Sequence, residues 1–116
     1  MIQRLFSIAS QRLYHPSKPV RDEAYKRFIR KLPCICCGKT WRIEAAHFGP
    51  HGLGQKSSDL QTLPLCRACH RTDPKHSYHV LGPKDFAIVH GIDAEALIAL
   101  LNEFYNRTLK EKERAA

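Results

Sequence analysis

Two pairs of cysteines limit the possible structures of this chain more than any other feature. Cys34 and Cys37 form one pair, Cys66 and Cys69 form the other, and 28 residues separate the pairs. Each C-x-x-C turn can bring two thiolates to one tetrahedral Zn²⁺, and two turns complete a four-cysteine site. Zinc binding contributes about 10–16 kcal/mol in finger peptides, comparable with the roughly 5–15 kcal/mol that stabilises a whole domain. The sequence therefore predicts a small domain that depends on a structural Zn²⁺.

The fifth cysteine, Cys36, lies between two of the predicted ligands. A disulfide framework would leave one thiol over, so the odd number favours metal binding over disulfides. We expect neither a membrane span nor a secretory signal, because no apolar run is long enough for the first and the N-terminal residues lack the apolar region of the second. Together these features predict a reducing compartment such as the cytoplasm.

The net charge of +8 is distributed unevenly. Residues 1–33 carry eight Lys/Arg and two acidic residues, residues 34–83 carry six and three, and residues 84–116 carry five and six. The positive charge covers the N-terminal segment and the cysteine region, which favours a polyanionic partner such as nucleic acid. A solvated basic face without a ligand is the alternative.

The apolar pattern and the prolines predict a single small α+β domain over residues 20–110. A basic arm or helix over residues 1–19 precedes it, and a charged, frayed tail over residues 111–116 follows. The first helix of the domain is predicted from Val20 to Leu32, where it has acidic residues in its first turn and basic residues in its last.

Two predicted strands flank a glycine-rich loop between the cysteine pairs. Thr40–Ala46 is the first strand, with Trp41 on its apolar face, and Leu60–Leu65 returns to the second pair. A short helix should begin near Cys66 and end by Thr72, because the following Pro74 disfavours helix at the residue before it.

Two further helices are predicted in the C-terminal part. One runs over Pro83–His90 and is closed by Gly91. Asp93 is the predicted N-cap of a long helix over about residues 94–110. The apolar residues of that helix form a stripe that should be buried: Leu97, Ile98, Leu100, Leu101, Phe104 and Tyr105.

Six of the seven histidines lie between the first cysteine pair and Gly91. Imidazole can bind metal, act as a general base or pack as a neutral group. His70 directly follows Cys69, so the second zinc turn would fix the direction of its side chain. His47 ends the first predicted strand, a position suited to a side chain that enters a cleft.

The order of these residues is distinctive. Ala46-His47 ends a strand, a glycine-rich loop leads to Lys56-Ser57-Ser58-Asp59, and Leu63-Pro64-Leu65-Cys66-Arg67-Ala68-Cys69-His70 follows. This combination resembles the HNH endonucleases of the ββα-metal, or His-Me finger, superfamily, and among them the zinc-ribbon proteins of phages and prophages. The resemblance covers about residues 21–91, with a motif core at 34–82. It implies a ββα-metal fold in which a hairpin and a helix hold one catalytic divalent metal, in a bacterial or phage-encoded setting.

The resemblance also implies a role for each matching residue. His47 matches the general base that deprotonates the attacking water. Asp59 takes the place of the central Asn, which steadies the loop by backbone hydrogen bonds. His70 and His79 match metal ligands on the helix side. A site of this kind hydrolyses phosphodiester bonds in DNA, because the metal stabilises charge that develops on the phosphate and the leaving oxygen.

Two positions depart from the family pattern. Many members carry a metal ligand directly before the base, where this chain has Ala46. Either His47 is itself a ligand, with His51 or another group as the base, or the missing ligand comes from elsewhere. Many members also place a second histidine four residues after the first, where this chain has Pro74. Two residues near this break are reserve ligands: Asp73 and His76.

The predicted function is a metal-dependent DNA endonuclease or nickase with a separate structural Zn²⁺. Histidine-rich ligation suits Mn²⁺, Ni²⁺, Co²⁺ or Zn²⁺ at the catalytic site, and the resemblance also permits Mg²⁺. Lys56 and Arg71 are candidates for holding neighbouring phosphates. The alternatives are a non-catalytic zinc-ribbon module that binds nucleic acid and a protein–protein adaptor stapled by zinc. Oligomeric state and cleavage specificity stay open.

Overall fold

The computed structural model of the protein describes residues 19–49 and 57–115. Over these residues the chain is a small α+β fold with a two-stranded sheet and three helices, which agrees with the predicted class. The helices are α1 (Glu23–Arg30), α2 (Tyr78–His90) and α3 (Ala94–Ala115), the strands are β1 (Ile43–His47) and β2 (Thr62–Cys66), and two single helical turns cover Asp59–Gln61 and Ala68–Thr72. Residues 1–18 of the predicted arm, and also His51 and Lys56, lie outside the described residues.

Helix α1 begins at Glu23, three residues after the predicted start. Asp22 is its N-cap, because its carboxylate accepts a hydrogen bond from the Tyr25 backbone N–H at 3.0 Å. Val20 stays outside the helix because its carbonyl accepts the Asp59 N–H at 2.9 Å. Tyr25 and Ile29, one turn apart, are completely buried and anchor the helix in the core.

The two strands pair in antiparallel register, with Ile43 opposite Cys66 and His47 opposite Thr62. All five residues of β2 are buried, so this strand runs through the middle of the domain. The register brings the second cysteine pair beside the start of β1 and leaves His47 at the far end of the sheet. The short sheet therefore separates the thiols from His47.

Strand β1 begins at Ile43 and not at Thr40, so the prediction for Trp41 was wrong. Arg42 has a φ of +55°, a left-handed conformation that interrupts the extended backbone. Trp41 consequently lies in a bend before the strand and is 62% exposed. The buried side chain near the end of β1 is Ala46, which has no exposed surface.

The residues buried against Ala46 form the core next to the cysteines: Cys34, Ile43, Leu65, Cys66 and Phe86. A second contact joins α1 to α3. There Tyr25 and Tyr105 meet edge to face with ring centroids 5.0 Å apart, and the Asn102 amide donates to the Tyr25 hydroxyl at 3.0 Å and to the Leu60 carbonyl at 2.9 Å. Helix α3 is thereby tied both to α1 and to the turn that precedes β2.

Helix α2 extends the predicted Pro83–His90 helix by one turn at its N-terminus. Ser77 caps this turn by accepting the Val80 N–H at 3.3 Å. Gly82, with φ +80°, kinks the helix directly before Pro83. Gly91, with φ +65°, closes it as predicted.

Helix α3 confirms the predicted cap, because the Asp93 carboxylate accepts the Ala96 N–H at 3.1 Å. The helix continues to Ala115, so the frayed tail predicted after residue 110 was wrong. Its last residues are mostly Lys, Glu, Arg and Ala, which are strong helix formers. None of the helices within residues 19–49 and 57–115 has the length and apolar character needed to cross a membrane.

The buried stripe of α3 is narrower than predicted. Ile98 is buried, whereas Leu100 is 64% exposed and Phe104 is 55% exposed. The helix contacts the rest of the domain at Ile98, Asn102 and Tyr105, and the half-exposed Phe104 ring stacks on Phe28 of α1 with centroids 5.9 Å apart. Leu100 lies on the opposite side of the helix and remains on the surface.

Candidate metal centre and histidine cleft

The four predicted thiols converge at one point. The sulfur atoms of Cys34, Cys37, Cys66 and Cys69 all lie within 4.8 Å of one another, and the Cys37 and Cys66 sulfurs are 3.6 Å apart. Tetrahedral Zn²⁺ with bonds of about 2.3 Å requires sulfurs about 3.8 Å apart. This cysteine cluster could therefore hold a metal ion, and the fifth thiol, Cys36, is not part of it.

Backbone hydrogen bonds shape both turns of the cysteine cluster. In the first, the Gly38 N–H donates to the Cys34 carbonyl at 2.9 Å, and the φ of +77° at Gly38 needs a glycine. In the second, the Cys69 N–H points at the Cys66 sulfur at 3.5 Å. Burial opposes ionisation of Cys34, but backbone N–H groups directed at its sulfur lower its pKa to about 7. Burial and the neighbouring Cys66 thiol raise the pKa of Cys69.

The buried carboxylate of Asp59 holds His47. Asp59 Oδ1 lies 2.9 Å from His47 Nε2 and also accepts the Arg21 guanidinium at 3.1 Å, while Oδ2 accepts the Asp22 N–H at 2.8 Å. Burial alone would raise the pKa of Asp59, but the bonds from His47 and the Asp22 N–H outweigh it and lower that pKa. Asp59 is thus an ionised acceptor that joins β1 to the start of α1.

This pairing determines where the proton of a neutral His47 resides. An ionised carboxylate can only accept, so Nε2 carries the hydrogen and donates it to Asp59. In the neutral ring the lone pair is then on Nδ1, which is the atom able to take up a proton. The Tyr78 hydroxyl donates to the His47 carbonyl at 2.7 Å and fixes the backbone of the same residue.

Glu44, which the sequence did not single out, organises the other side of the site. Its Oε1 lies 2.8 Å from His70 Nδ1 and accepts the Arg71 Nε–H at 3.1 Å, while its Oε2 accepts the Arg71 Nη2–H. Burial opposes ionisation of Glu44, yet the bonds from Arg71 and His70 hold its pKa below the usual value. His70 therefore donates from Nδ1, and its Nε2 carries the lone pair available to a metal.

His79 meets His70 although the two residues are nine positions apart in the sequence. The helical turn that carries His70 ends at Thr72, as predicted from Pro74, and the chain turns back before α2 begins. The two imidazole rings lie edge to face with centroids 4.9 Å apart. Burial lowers the pKa of His70, with a smaller opposing effect of Glu44, so this ring is neutral at pH 7.

His47, His70 and His79 all line one cleft of about 580 Å³, which we call the histidine cleft. Three cationic side chains line it as well: Lys26, Arg30 and Arg71. Lys26 and Arg30 come from α1, and no motif in the sequence associates them with the histidines. Their four-residue spacing on a helix is the signal that could have suggested a shared face.

The two reserve metal ligands do not line this cleft. The Asp73 carboxylate caps the following turn by accepting the Lys75 and His76 N–H groups at 2.9 and 3.0 Å, and the His76 side chain is 59% exposed. Both reserve ligands therefore lie outside the site. Ala46 faces the core, so no side chain at this position could reach the cleft. Arg71 lines the cleft, but Glu44 already binds its guanidinium.

Comparison with known proteins gives a family and no activity. The profile of the family described as "Protein of unknown function (DUF968)" matches residues 13–106, and the chain belongs to this family. A 51-residue stretch is 41% identical to "Uncharacterized protein YdfU" of Escherichia coli (strain K12), covering 41% of this chain and 14% of that protein. The chain thus corresponds to a small part of that relative. No solved structure matches.

Proposed function

We propose that the protein is a metal-dependent DNA endonuclease or nickase of the HNH, or ββα-metal, type, with a structural Zn²⁺ at the cysteine cluster. The observation that supports this most is the convergence of His47, paired with Asp59, and His70, paired with Glu44, on one cation-lined cleft. A module that only binds nucleic acid needs basic and aromatic surface. It has no need of imidazoles oriented by carboxylates.

His47 is the proposed general base. The Asp59 carboxylate holds Nε2–H and stabilises the imidazolium that forms when Nδ1 accepts a proton from water. The Tyr78 hydroxyl keeps the His47 backbone in place, and burial raises the pKa of this phenol, so it remains a donor at neutral pH. The dyad therefore supplies a ring of fixed tautomer at the edge of the cleft.

The cations of the histidine cleft are suited to a phosphodiester. Lys26 and Arg30 lie over the same opening as His47, and both are paired with Glu23, at 3.1 and 2.8 Å. The Glu23 side chain is 59% exposed, so these ion pairs are weak and a phosphate can replace them. We therefore assign phosphate binding to Lys26 and Arg30, while Arg71 serves mainly to orient Glu44.

We assign a catalytic divalent cation to two histidines of the same cleft. His70 and His79 would hold it. His70 donates its Nδ1–H to Glu44, so the lone pair on Nε2 is available to a metal, and the His79 ring lies beside the same imidazole. Two imidazoles favour Mn²⁺, Co²⁺, Ni²⁺ or Zn²⁺ over Mg²⁺. When bound, the cation would act as a Lewis acid that stabilises charge on the phosphate and the leaving oxygen.

Cleavage of supercoiled plasmid by the purified, zinc-loaded protein tests the proposal. The wild type should nick or cut the plasmid with Mn²⁺ or another divalent cation. His47→Ala should lower the rate by about 10²–10⁴-fold, the usual contribution of a general base. His76→Ala is the matched control, because this exposed histidine lies outside the cleft, and it should cleave like the wild type.

Two outcomes would contradict parts of the proposal. If the wild type cuts no DNA with any of these metals but still binds it, the protein is a non-catalytic zinc-ribbon module. If His47→Ala cleaves as fast as the wild type, the chemistry can stand but His47 is not the base.

A further inference from the structure

A second, smaller cleft lies on the other side of the Ala68–Thr72 turn. Its volume is about 300 Å³, and its lining includes Lys39, Trp41, Arg42 and Arg67. Thr72 lines this cleft and Arg71 lines the histidine cleft, so adjacent residues of one turn face the two openings. We call it the Trp41 cleft.

Trp41 is the only tryptophan of the chain, and 62% of its surface is exposed. Its ring therefore presents a flat aromatic face to solvent. The Lys39 ammonium lies 5.3 Å from the ring centroid, close enough for a cation–π contact. A flat ring beside a cation is the arrangement on which a nucleobase stacks next to its phosphate.

Within residues 19–49 and 57–115, no carboxylate opposes the charges around Trp41. Lys39, Arg42 and Arg67 form no ion pair with any residue in the described part of the chain, and no acidic residue lines the Trp41 cleft. In the histidine cleft, by contrast, Glu44 binds Arg71. The Trp41 cleft therefore presents positive charge that can neutralise an anion.

The backbone holds these groups in one place. Arg42 adopts the left-handed conformation that is unusual for a residue with a side chain, and its carbonyl accepts the Arg67 N–H at 3.0 Å. This bond extends the pairing of Ile43 with Cys66 by one residue and keeps the two arginines at the same end of the sheet. The site is thus built on the strands next to the cysteine cluster.

We propose that the Trp41 cleft binds single-stranded DNA, with an unpaired base stacked on Trp41 and neighbouring phosphates on Lys39, Arg42 and Arg67. Single-stranded DNA fits better than a duplex because stacking on a side chain requires a base whose face is exposed. This surface is separate from the histidine cleft, and its binding does not depend on whether that cleft cleaves DNA.

Titration with an oligothymidylate of about twelve nucleotides, without added catalytic metal, tests the proposal on the full zinc-loaded chain. Trp41 itself reports binding, and its fluorescence should be quenched to saturation by the single strand and much less by a duplex of equal length. Anisotropy of a fluorescein-labelled oligonucleotide should show about 5- to 150-fold weaker binding by Trp41→Ala, the usual effect of removing one stacking platform. Trp41→Phe should retain most of the affinity.

Two further variants keep the test decisive. Ile88→Ala, at another exposed apolar residue, should bind like the wild type. Arg42→Gln combined with Arg67→Gln leaves Trp41 in place and should lower the slope of log K against log salt by about 1.4, or about 0.7 per phosphate contact. Equal quenching by duplex and single strand, or unchanged affinity of Trp41→Ala with unchanged salt dependence of the arginine variant, would overturn the proposal. A protein that binds single-stranded DNA in this way but does not cleave plasmid would contradict the proposed nuclease activity and still support binding at the Trp41 cleft.

Discussion

Replacing Asp59 by Asn should destabilise the protein more than any other change of one carboxylate to an amide. The Asp59 side chain is 3% exposed and accepts hydrogen bonds from Arg21, the Asp22 N–H and His47. An amide has a single acceptor atom. If the amide oxygen faces Arg21 and His47, the NH2 group points at the Asp22 N–H, and two donors oppose each other. If the amide is flipped, Arg21 and His47 lose their acceptor.

The expected loss follows from these contacts. One hydrogen bond to a charged group, worth about 1.5–3 kcal/mol, disappears, and the others weaken because their acceptor becomes neutral. The Arg21 side chain is 51% exposed, so its share is small. We therefore expect Asp59→Asn to lower the free energy of unfolding by about 2–4 kcal/mol, and the melting temperature by roughly 10 °C for a domain of this size.

Urea unfolding of the zinc-loaded protein, followed by circular dichroism, measures this loss, and the m-value should not change. Asp93→Asn is the matched control. Asp93 is an exposed N-cap of α3, where Asn serves as well as Asp, so its free energy of unfolding should stay within about 0.5 kcal/mol of the wild type. An Asp59→Asn variant that is as stable as Asp93→Asn would refute the view that Asp59 joins β1 to α1.

The difference in stability between the wild type and Asp59→Asn should depend on pH. The folded state lowers the pKa of Asp59, so the stability that its charge provides is complete above the unfolded pKa of about 3.9 and is lost as the pH falls through the folded value. The difference between wild type and Asp59→Asn should therefore not shrink between pH 7 and pH 5. It should close below about pH 4. A difference that already vanishes at pH 5 would contradict the lowered pKa.

Other predictions concern the cysteine cluster and the cation site proposed at His70. Cys69→Ser should lose zinc and the folded state, whereas Cys36→Ser, outside the cysteine cluster, should keep one zinc per chain by metal analysis; retention of that zinc in Cys69→Ser would disprove a site built from four cysteines. Glu44→Gln should weaken Mn²⁺ binding at His70 about 10- to 100-fold in calorimetric titrations, because the acceptor that orients the imidazole becomes neutral. Unchanged Mn²⁺ affinity would show that Glu44 supports only the fold.

Local features of the sequence predicted the elements well where the signals were short-range. The C-x-x-C turns, the Asp93 cap and the Gly91 end each depend on residues within a few positions, and all three are confirmed. The boundary errors also have local causes. Arg42 adopts a left-handed backbone conformation that cannot be predicted from its residue type. This conformation places Trp41 outside the strand and on the surface.

Local sequence patterns identified only some of the residues that line the histidine cleft. The resemblance indicated His47, Asp59, His70 and His79, but it did not identify Glu44, Lys26 or Arg30, which come from other elements. Glu44 and His70 are 26 residues apart and meet only because β1 and the turn after β2 lie side by side. Ala46 stands where the HNH pattern often has a metal ligand, and its burial in the core accounts for the small side chain there.

Residue chemistry and spacing along the chain were enough to predict the cysteine cluster, the basic character of the protein and the order of the two strands and the helical turn that follows them. They did not reveal which groups share a cleft or which carboxylate holds each imidazole. Hydrogen bonds and burial act over a few ångströms in space, whereas the residues concerned lie 12 positions apart for His47 and Asp59 and 26 apart for Glu44 and His70. Only the packing of α1, the two strands and the start of α2 could bring them together.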